Sequence, residues 1–384
     1  MIPLRNTKRF FYKTLKQPLY GLNVFYRRLI ASFYYAAGKG RSSFPEAVTL
    51  FLTHRCNLRC KMCGQWGEGG VTKKQGQEVL KEQLSLEESK KIIEGLAQFK
   101  PNITLFGGEP LLFRGCAELI GYIKRKGMHC LMITNGSLLE NLAEAIVESG
   151  LDELNVSLDG GRQLHDEIRA MPGLFDRIMA GLERVNYFKA KKHKKKPLLN
   201  LQCTITKFNY KDLEQMAAVA KEARADSLTF HNLIFISQPI FDKQKEFDKM
   251  LNCSSLDWEG FVSQPGIDPK LLEEKKRQIL SKKYAFIVDF YPNFSCSELA
   301  EYYDNPCYSP PVQNRRCLSP WLVAYIFPDG EVRPCLNLSY SFGNVKEESF
   351  LKIWNNAKAR HFRTLLKNNK IFPACVRCTE LYRY

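Results

Sequence analysis

No run of about 18 or more apolar residues occurs anywhere in the 384-residue chain, so a bilayer-spanning helix is excluded at the level of sequence. The N-terminus lacks a continuous apolar segment and a small-residue cleavage site, so no signal peptide is read. An even, disulfide-type cysteine framework is also missing. The 13 cysteines are odd in number and cluster at metal-ligand spacings, which fits a reducing cytoplasm better than a secreted scaffold. Acidic residues are absent from positions 1–41, where nine Lys or Arg occur.

What is present begins with that charge. The formal net charge is +17, and a second basic run, Lys189 to Lys196, lies mid-chain between a predicted helix and a predicted strand, where a solvated loop is the plain reading. Within residues 1–41 the basic positions alternate with aromatics such as Phe10, Phe11, Tyr12, Phe25, Tyr26 and Phe33. Leu22, Phe25, Tyr26, Leu29, Ile30 and Phe33 recur at helical spacing, with Arg27 and Arg28 elsewhere on the wheel. This predicts a basic amphipathic arm over 1–45. Its aromatic stripe either packs on the body of the protein or lies on an anionic membrane surface.

From Val48 the pattern alternates strand and helix. Strands are predicted at 48–53, 103–106, 129–134, 153–158, 198–205 and 227–233. A capping box at Ser85-Leu86-Glu87-Glu88 opens one helix, and another is expected from Asn209. Six such units predict an α/β core over 46–238 with a parallel sheet, too short to close an eight-stranded barrel. The stretch 239–316 carries little signal beyond a helix with Asp268 as N-cap and Pro269 at its first position, and three isolated thiols expected to be buried or inert, Cys253, Cys296 and Cys307.

The first strand runs into Thr53-His54-Arg55-Cys56-Asn57-Leu58-Arg59-Cys60-Lys61-Met62-Cys63-Gly64. Three thiols at C-x3-C-x2-C spacing suggest a metal site with one coordination position open, since closed zinc sites and ordinary clusters take four protein ligands. A zinc loop or three buried thiols is the plainer alternative. The loop resembles the cluster loop of the radical SAM superfamily. The resemblance implies a partial (β/α)6 TIM-like barrel and a 4Fe-4S cluster on Cys56, Cys60 and Cys63, with S-adenosylmethionine (SAM) on the fourth iron. Met62 stands where the family usually has an aromatic residue.

Further motifs fall at the predicted strand ends, where ligands gather in parallel β/α folds. Gly107-Gly108-Glu109-Pro110 resembles the family's G-G-E motif. In its own terms it offers small residues for close ligand approach and a carboxylate for an ammonium group. By the same resemblance Asn135 and Ser157 are carried over as ribose-side positions, and Arg169 as partner of the SAM carboxylate.

Near the C-terminus Cys317 and Cys335 flank a predicted hairpin turning at Pro328-Asp329-Gly330, and an amphipathic helix over about 347–366 leads to Cys375-Val376-Arg377-Cys378. Four thiols suit zinc or a fully ligated cluster, and spacing alone does not choose. With Gly330 and Phe342-Gly343-Asn344, the arrangement over 317–384 resembles the SPASM and Twitch extensions of radical SAM enzymes. Because the chain has no cysteine after Cys378, it resembles the single-cluster form, which implies a second auxiliary 4Fe-4S cluster on Cys317, Cys335, Cys375 and Cys378.

The resemblance implies an enzyme that reductively cleaves SAM to a 5'-deoxyadenosyl radical and abstracts hydrogen. The expected outcome is a net oxidation or other modification of a peptide, a sugar or polyol, or a lipid-linked intermediate. It also implies an electron donor such as flavodoxin or ferredoxin. Two alternatives stand beside it: an epimerase using a lone cysteine as hydrogen donor, and a zinc-stapled basic protein that binds nucleic acid without catalysis.

Overall fold

The computed structural model describes residues 14, 15, 18–311 and 315–384; the aromatics Phe10, Phe11 and Tyr12 of the N-terminal arm lie outside them. Helices of eight or more residues are labelled. Helix α1 (Pro18–Ala37) precedes strand β1 (Ala47–Phe51), followed by α2 (Leu86–Leu96), β2 (Asn102–Phe106), α3 (Cys116–Arg125), β3 (Cys130–Thr134), α4 (Leu139–Glu148) and β4 (Glu153–Ser157). Then come α5 (Arg162–Arg169), α6 (Leu174–Lys191), β5 (Leu198–Thr204), α7 (Gln215–Glu222), β6 (Ser227–His231), α8 (Gln238–Leu251), α9 (Pro269–Leu280), β7 (Ile287–Tyr291) and α10 (Cys296–Asp304). The chain ends with β8 (Val323–Ile326), β9 (Glu331–Arg333), β10 (Gly343–Asn344) and α11 (Ala357–Asn369).

The local rules that predicted these elements operate as expected. Ser85 and Glu88 form a reciprocal capping box at α2, and the Asp268 side chain accepts from the Lys270 and Leu271 amides at α9; each cap contributes about 1 kcal/mol. Glycines at Gly127 and Gly150 take positive φ just past α3 and α4, closing those helices. The helix expected from Asn209 starts later, at Gln215. Asn209 instead clasps two loops, donating to the Asp159 and Thr204 carbonyls at 2.8 and 2.9 Å.

All ten strands form one sheet in the order β10-β9-β8-β1-β2-β3-β4-β5-β6-β7. Neighbours from β8 through β1 to β7 are parallel, and the hairpin strands β9 and β10 are antiparallel. The ends do not pair, so the sheet is a partial barrel. Two features exceed the sequence reading. A seventh parallel strand, β7, lies in the stretch that carried little signal, and the C-terminal hairpin is not a detached module: β8 pairs with β1, with Ala47 opposite Val323.

Alternation sorts the strand residues between two faces. Leu154, Val156, Leu199, Leu201, Leu228 and Phe230 are fully buried beneath the helices. The opposite, concave face is polar and half-buried across β4 to β6. There Ser227 donates to Asn200 at 2.7 Å and Asn200 to Asn155 at 2.9 Å, while His231 bonds Gln202.

Candidate active site and cysteine centres

β1 ends at Phe51, and the C-x3-C-x2-C loop follows at the carboxyl edge of the sheet. Turns closed by Cys63 N to Cys60 O (3.1 Å) and Gly67 N to Cys63 O (2.8 Å) wind it tightly. Donors point at its sulfurs. The Leu58 and Trp66 amides reach Cys56 Sγ and Cys63 Sγ at 3.5 and 3.3 Å, Arg169 Nη1 lies 3.7 Å from Cys60 Sγ, and Asn135 Nδ2 lies 4.0 Å from Cys56 Sγ.

That donor set fits thiolates held by a cationic cluster. Burial foremost, helped by the neighbouring thiols and acidic groups, pushes the Cys56 thiol up to about 11 and raises Cys60 as well; the charge of bound iron is what converts such thiols to thiolates. Among the described residues no three His, Cys, Asp or Glu side chains converge on a single ion.

The Gly107-Gly108-Glu109 segment lies at the end of β2, packed against the cysteine loop. What approaches the glycines is the cysteine loop itself. A Cβ on Gly107 would lie 2.7 Å from Thr53 O, and one on Gly108 would lie 2.3 Å from Arg55 O. Gly108 N donates to Thr53 O at 2.8 Å and Glu109 N to Arg55 O at 2.9 Å. The Glu109 carboxylate is fully buried and turned inward, accepting from Leu111 N, Thr134 Oγ1 and Asn135 N at 3.0, 2.6 and 2.8 Å. It braces the ends of β2 and β3 beneath the loop.

Arg169 has a partner within the chain. Its Nε donates to Asp159 Oδ2 at 2.6 Å, with Asp159 fully buried, and its Nη1 faces Cys60. Asp159 is a residue the sequence reading passed over; its only signal was a position at the end of β4. Asn135 donates to Asn57 Oδ1 at 3.0 Å and accepts from the Ser137 amide at 2.9 Å, so it ties the end of β3 to the cysteine loop. Ser157 lies at the end of β4, half-buried on the concave face.

The second thiol group gathers Cys317, Cys335, Cys375 and Cys378 from before β8, after β9 and the C-terminal turn. Burial pushes all four thiols up, Cys375 to about 11 and Cys378 to about 12. Backbone N–H groups of Ser319, Asn337 and Leu381 bond the sulfurs of Cys317, Cys335 and Cys378. This donor pattern fits a cluster here too. Cys253, just after α8, lies close enough to Cys335 to raise its pKa, and burial pushes Cys253 itself up to about 12. Cys296 and Cys307, expected to be buried or inert, are exposed on the surface.

A cleft of about 290 Å³ is lined by residues that neighbour both groups in the chain. His54 and Gln65 from the first cysteine loop form one wall; Arg333, Leu336 and Asn337, which bracket Cys335, form another. Phe51 and Phe327, at the ends of β1 and β8, stack at 5.3 Å in its floor. Burial holds His54 down at about 4, so it stands neutral there. Glu82, Asp257 and Asp329 line the cleft with Arg333 as their counter-charge, Arg333 lying 4.0 Å from Asp257 and 3.6 Å from Asp329. Burial raises the Asp257 and Glu82 carboxyls.

Comparison with known proteins agrees with this geometry. Residues 50–220 match the model of the radical SAM superfamily, and residues 317–379 match SPASM, an iron-sulfur cluster-binding domain. The chain is 28% identical over 346 residues to Fe-coproporphyrin III synthase of Methanosarcina barkeri, covering 86% of this chain and 79% of the relative. It is 24% identical over 356 residues to the tungsten-containing aldehyde ferredoxin oxidoreductase cofactor-modifying protein of Pyrococcus furiosus, covering 86% of each. Its fold is similar to that of Streptococcus suis SuiB bound to S-adenosylmethionine, with a TM-score of 0.59 at 15% identity over 87% of this chain and 71% of that one. The iron-sulfur match over the C-terminal cysteines sets aside the zinc-stapled, non-catalytic alternative. With a three-thiol loop on the first strand of a partial barrel and four thiols around its C-terminal hairpin, the chain carries a radical SAM domain over residues 50–220 and a SPASM-type iron-sulfur domain over 317–379, and is a radical SAM enzyme of SAM and 4Fe-4S clusters.

Proposed function

We propose that this enzyme oxidises a small substrate held in the cleft lined by neighbours of the two cysteine groups. The observation that carries the reading is the cleft itself, walled on one side by the Cys56–Cys63 loop and on the other by residues around Cys335. Cys56, Cys60 and Cys63 are the ligands of the first cluster, and Cys317, Cys335, Cys375 and Cys378 those of the second. When bound, the first cluster and SAM supply a 5'-deoxyadenosyl radical that takes a hydrogen atom from substrate carbon. Cys317, Cys335, Cys375 and Cys378 would hold a second cluster that could accept one electron, so that with loss of a proton the substrate would undergo a net two-electron oxidation; a flavodoxin or ferredoxin would supply the reducing electron in the cytoplasm. Gly107, Gly108, Glu109 and Asn135 position the first loop, Arg169 sits against Cys60, and Ser157 faces the SAM side of the barrel.

The cleft's three carboxylates against one arginine favour a substrate that donates hydrogen bonds or carries an ammonium group, such as a peptide or polyol, over the polyanionic tetrapyrroles suggested by the name of the Methanosarcina relative. Anaerobic turnover with SAM and dithionite tests both levels. The Cys375→Ala/Cys378→Ala variant is expected to keep 5'-deoxyadenosine formation and lose the oxidised product; undiminished product would refute the electron-acceptor role. Formation of Fe-coproporphyrin III or heme from a tetrapyrrole precursor would refute the substrate class and leave the enzyme class intact.

A second reading is favoured by Cys253, whose neighbour Ser254 lines the cleft. There the thiol returns a hydrogen atom and the net reaction is an epimerisation. An unchanged product from Cys253→Ala removes it.

A further inference from the structure

Helix α1 is amphipathic in the reverse sense to a helix packed by its apolar face. Its arginines point toward the body of the protein. Arg27 donates to the Pro45 carbonyl at 2.9 Å and to that of Phe99, and Arg28 pairs with buried Glu46 at 2.9 Å and lies over the Tyr384 ring. Among its described residues Gly21, Val24 and Ala31 are buried, and Tyr34 and Tyr35 near its end pack against the core. The stripe Leu22, Phe25, Tyr26, Leu29 and Phe33 faces solvent, at 64, 45, 64, 46 and 67% exposure. These positions follow i, i+3, i+4, i+7 and i+11, one continuous helical face. A contiguous apolar patch of this kind on a soluble surface marks a docking site.

Its place in the fold says what covers it. Arg27 reaches the segments just before β1 and β2, and the Tyr20 ring lies tilted against His129, just before β3, with centroids 4.6 Å apart. The helix therefore crosses the amino edge of the sheet, opposite the cysteine loop. Loops on that same edge carry exposed cations: Lys100 before β2, Lys195 before β5, and Lys282 and Lys283 before β7. Lys39 and Arg41 add two more after α1. Nearby Glu94 and Glu148 are already taken up by Lys126 and Lys192. A second copy docked through this face would bring one cationic rim against another. An anionic surface neutralises the rim and accepts the stripe at once, as interfacial helices do.

We propose that the amino edge of the barrel, with the outer stripe of α1 at its centre, docks on the surface of an anionic lipid bilayer. The cysteine loop then faces away from the membrane, and docking leaves the site open to its substrate.

The test is sedimentation of the full chain, clusters loaded, with vesicles of phosphatidylcholine alone or mixed with phosphatidylglycerol. Binding to the mixed vesicles is expected, weakened by high salt and by omission of phosphatidylglycerol. Phe25→Ser/Leu29→Ser/Phe33→Ser is expected to lower the partition coefficient at least about ten-fold with 5'-deoxyadenosine formation unchanged. If that variant fails to fold, Lys195→Glu/Lys282→Glu/Lys283→Glu, on the surface loops, is expected to lose binding to the mixed vesicles. Absence of wild-type binding, binding undiminished in the variants, or a dimer that the triple serine variant dissociates would overturn the proposal.

Discussion

Gly108→Ala is the most direct perturbation of the first cysteine loop. The added Cβ would stand 2.3 Å from Arg55 O and 2.7 Å from His54 O, where ordinary contact begins near 3.4 Å. Both obstacles are backbone, so no side chain can swing aside; the loop or the end of β2 must retreat by about 1 Å. The hydrogen bonds Gly108 N to Thr53 O and Glu109 N to Arg55 O lie across that contact and would stretch. Overpacking of this kind costs about 1–3 kcal/mol, which a chain of this size survives. A displacement of about 1 Å beside Cys56 is expected to lower SAM cleavage about 100-fold. The assay is iron per chain after anaerobic reconstitution together with 5'-deoxyadenosine formation. The expected variant loads the first cluster only in part, holding fewer than about eight irons per chain, and keeps a folded circular-dichroism spectrum. A full complement of about eight irons with cleavage within two-fold of wild type would refute the bracing role given to the glycines.

Arg169→Met is expected to destabilise the fold by about 3–5 kcal/mol in urea denaturation, because it leaves Asp159 buried and unpaired beside Cys60; Arg169→Met/Asp159→Asn should recover much of that, and no recovery would deny the pair. Asp152 ties the starts of β3 and β4 to Lys124 and Lys196. Burial opposes its ionisation, but His129, Lys124, Lys196 and the Cys130 amide together hold its carboxyl below the ordinary carboxylate range. A depressed folded pKa contributes stability that is present above the unfolded value, near 4, and lost below it. The stability difference between wild type and Asp152→Asn is therefore expected to be undiminished at pH 5 relative to pH 8 and to fall once the pH drops below about 4; a difference that shrinks between pH 8 and 5 would contradict the assignment.

The thiol positions and the β/α rhythm were legible because each rests on local pattern: C-x3-C-x2-C, C-x2-C, capping residues and strand-length apolar runs. What escaped was set by tertiary context. β7 begins Ile287-Val288 within a segment whose neighbours offer no strong periodicity, and only pairing with β6 makes it a strand. The bonds that Glu109 accepts from Leu111, Thr134 and Asn135 could not be read from G-G-E, since they depend on how the ends of β2 and β3 come together. Asp159 gained its role from Arg169, ten residues on, across a helix the sequence did not announce. The stripe on α1 was legible as a stripe, but not the side it faces, because Arg27 and Arg28 find carbonyls and Glu46 that only the folded chain assembles.

The parallel pairing of β8 with β1 has a consequence for how the chain is made. Ala47 must wait for Val323, near the other end of the polypeptide, before its open edge is covered. Such long-range pairing is slow to form and leaves an unpaired strand edge exposed while synthesis continues. The cysteine loop that follows β1 therefore leaves the ribosome long before its final surroundings exist. A nascent chain interrupted anywhere before β8 would present an incomplete sheet beside three unprotected thiols, so cluster assembly in this enzyme is expected to be a late event, tied to completion of the C-terminus.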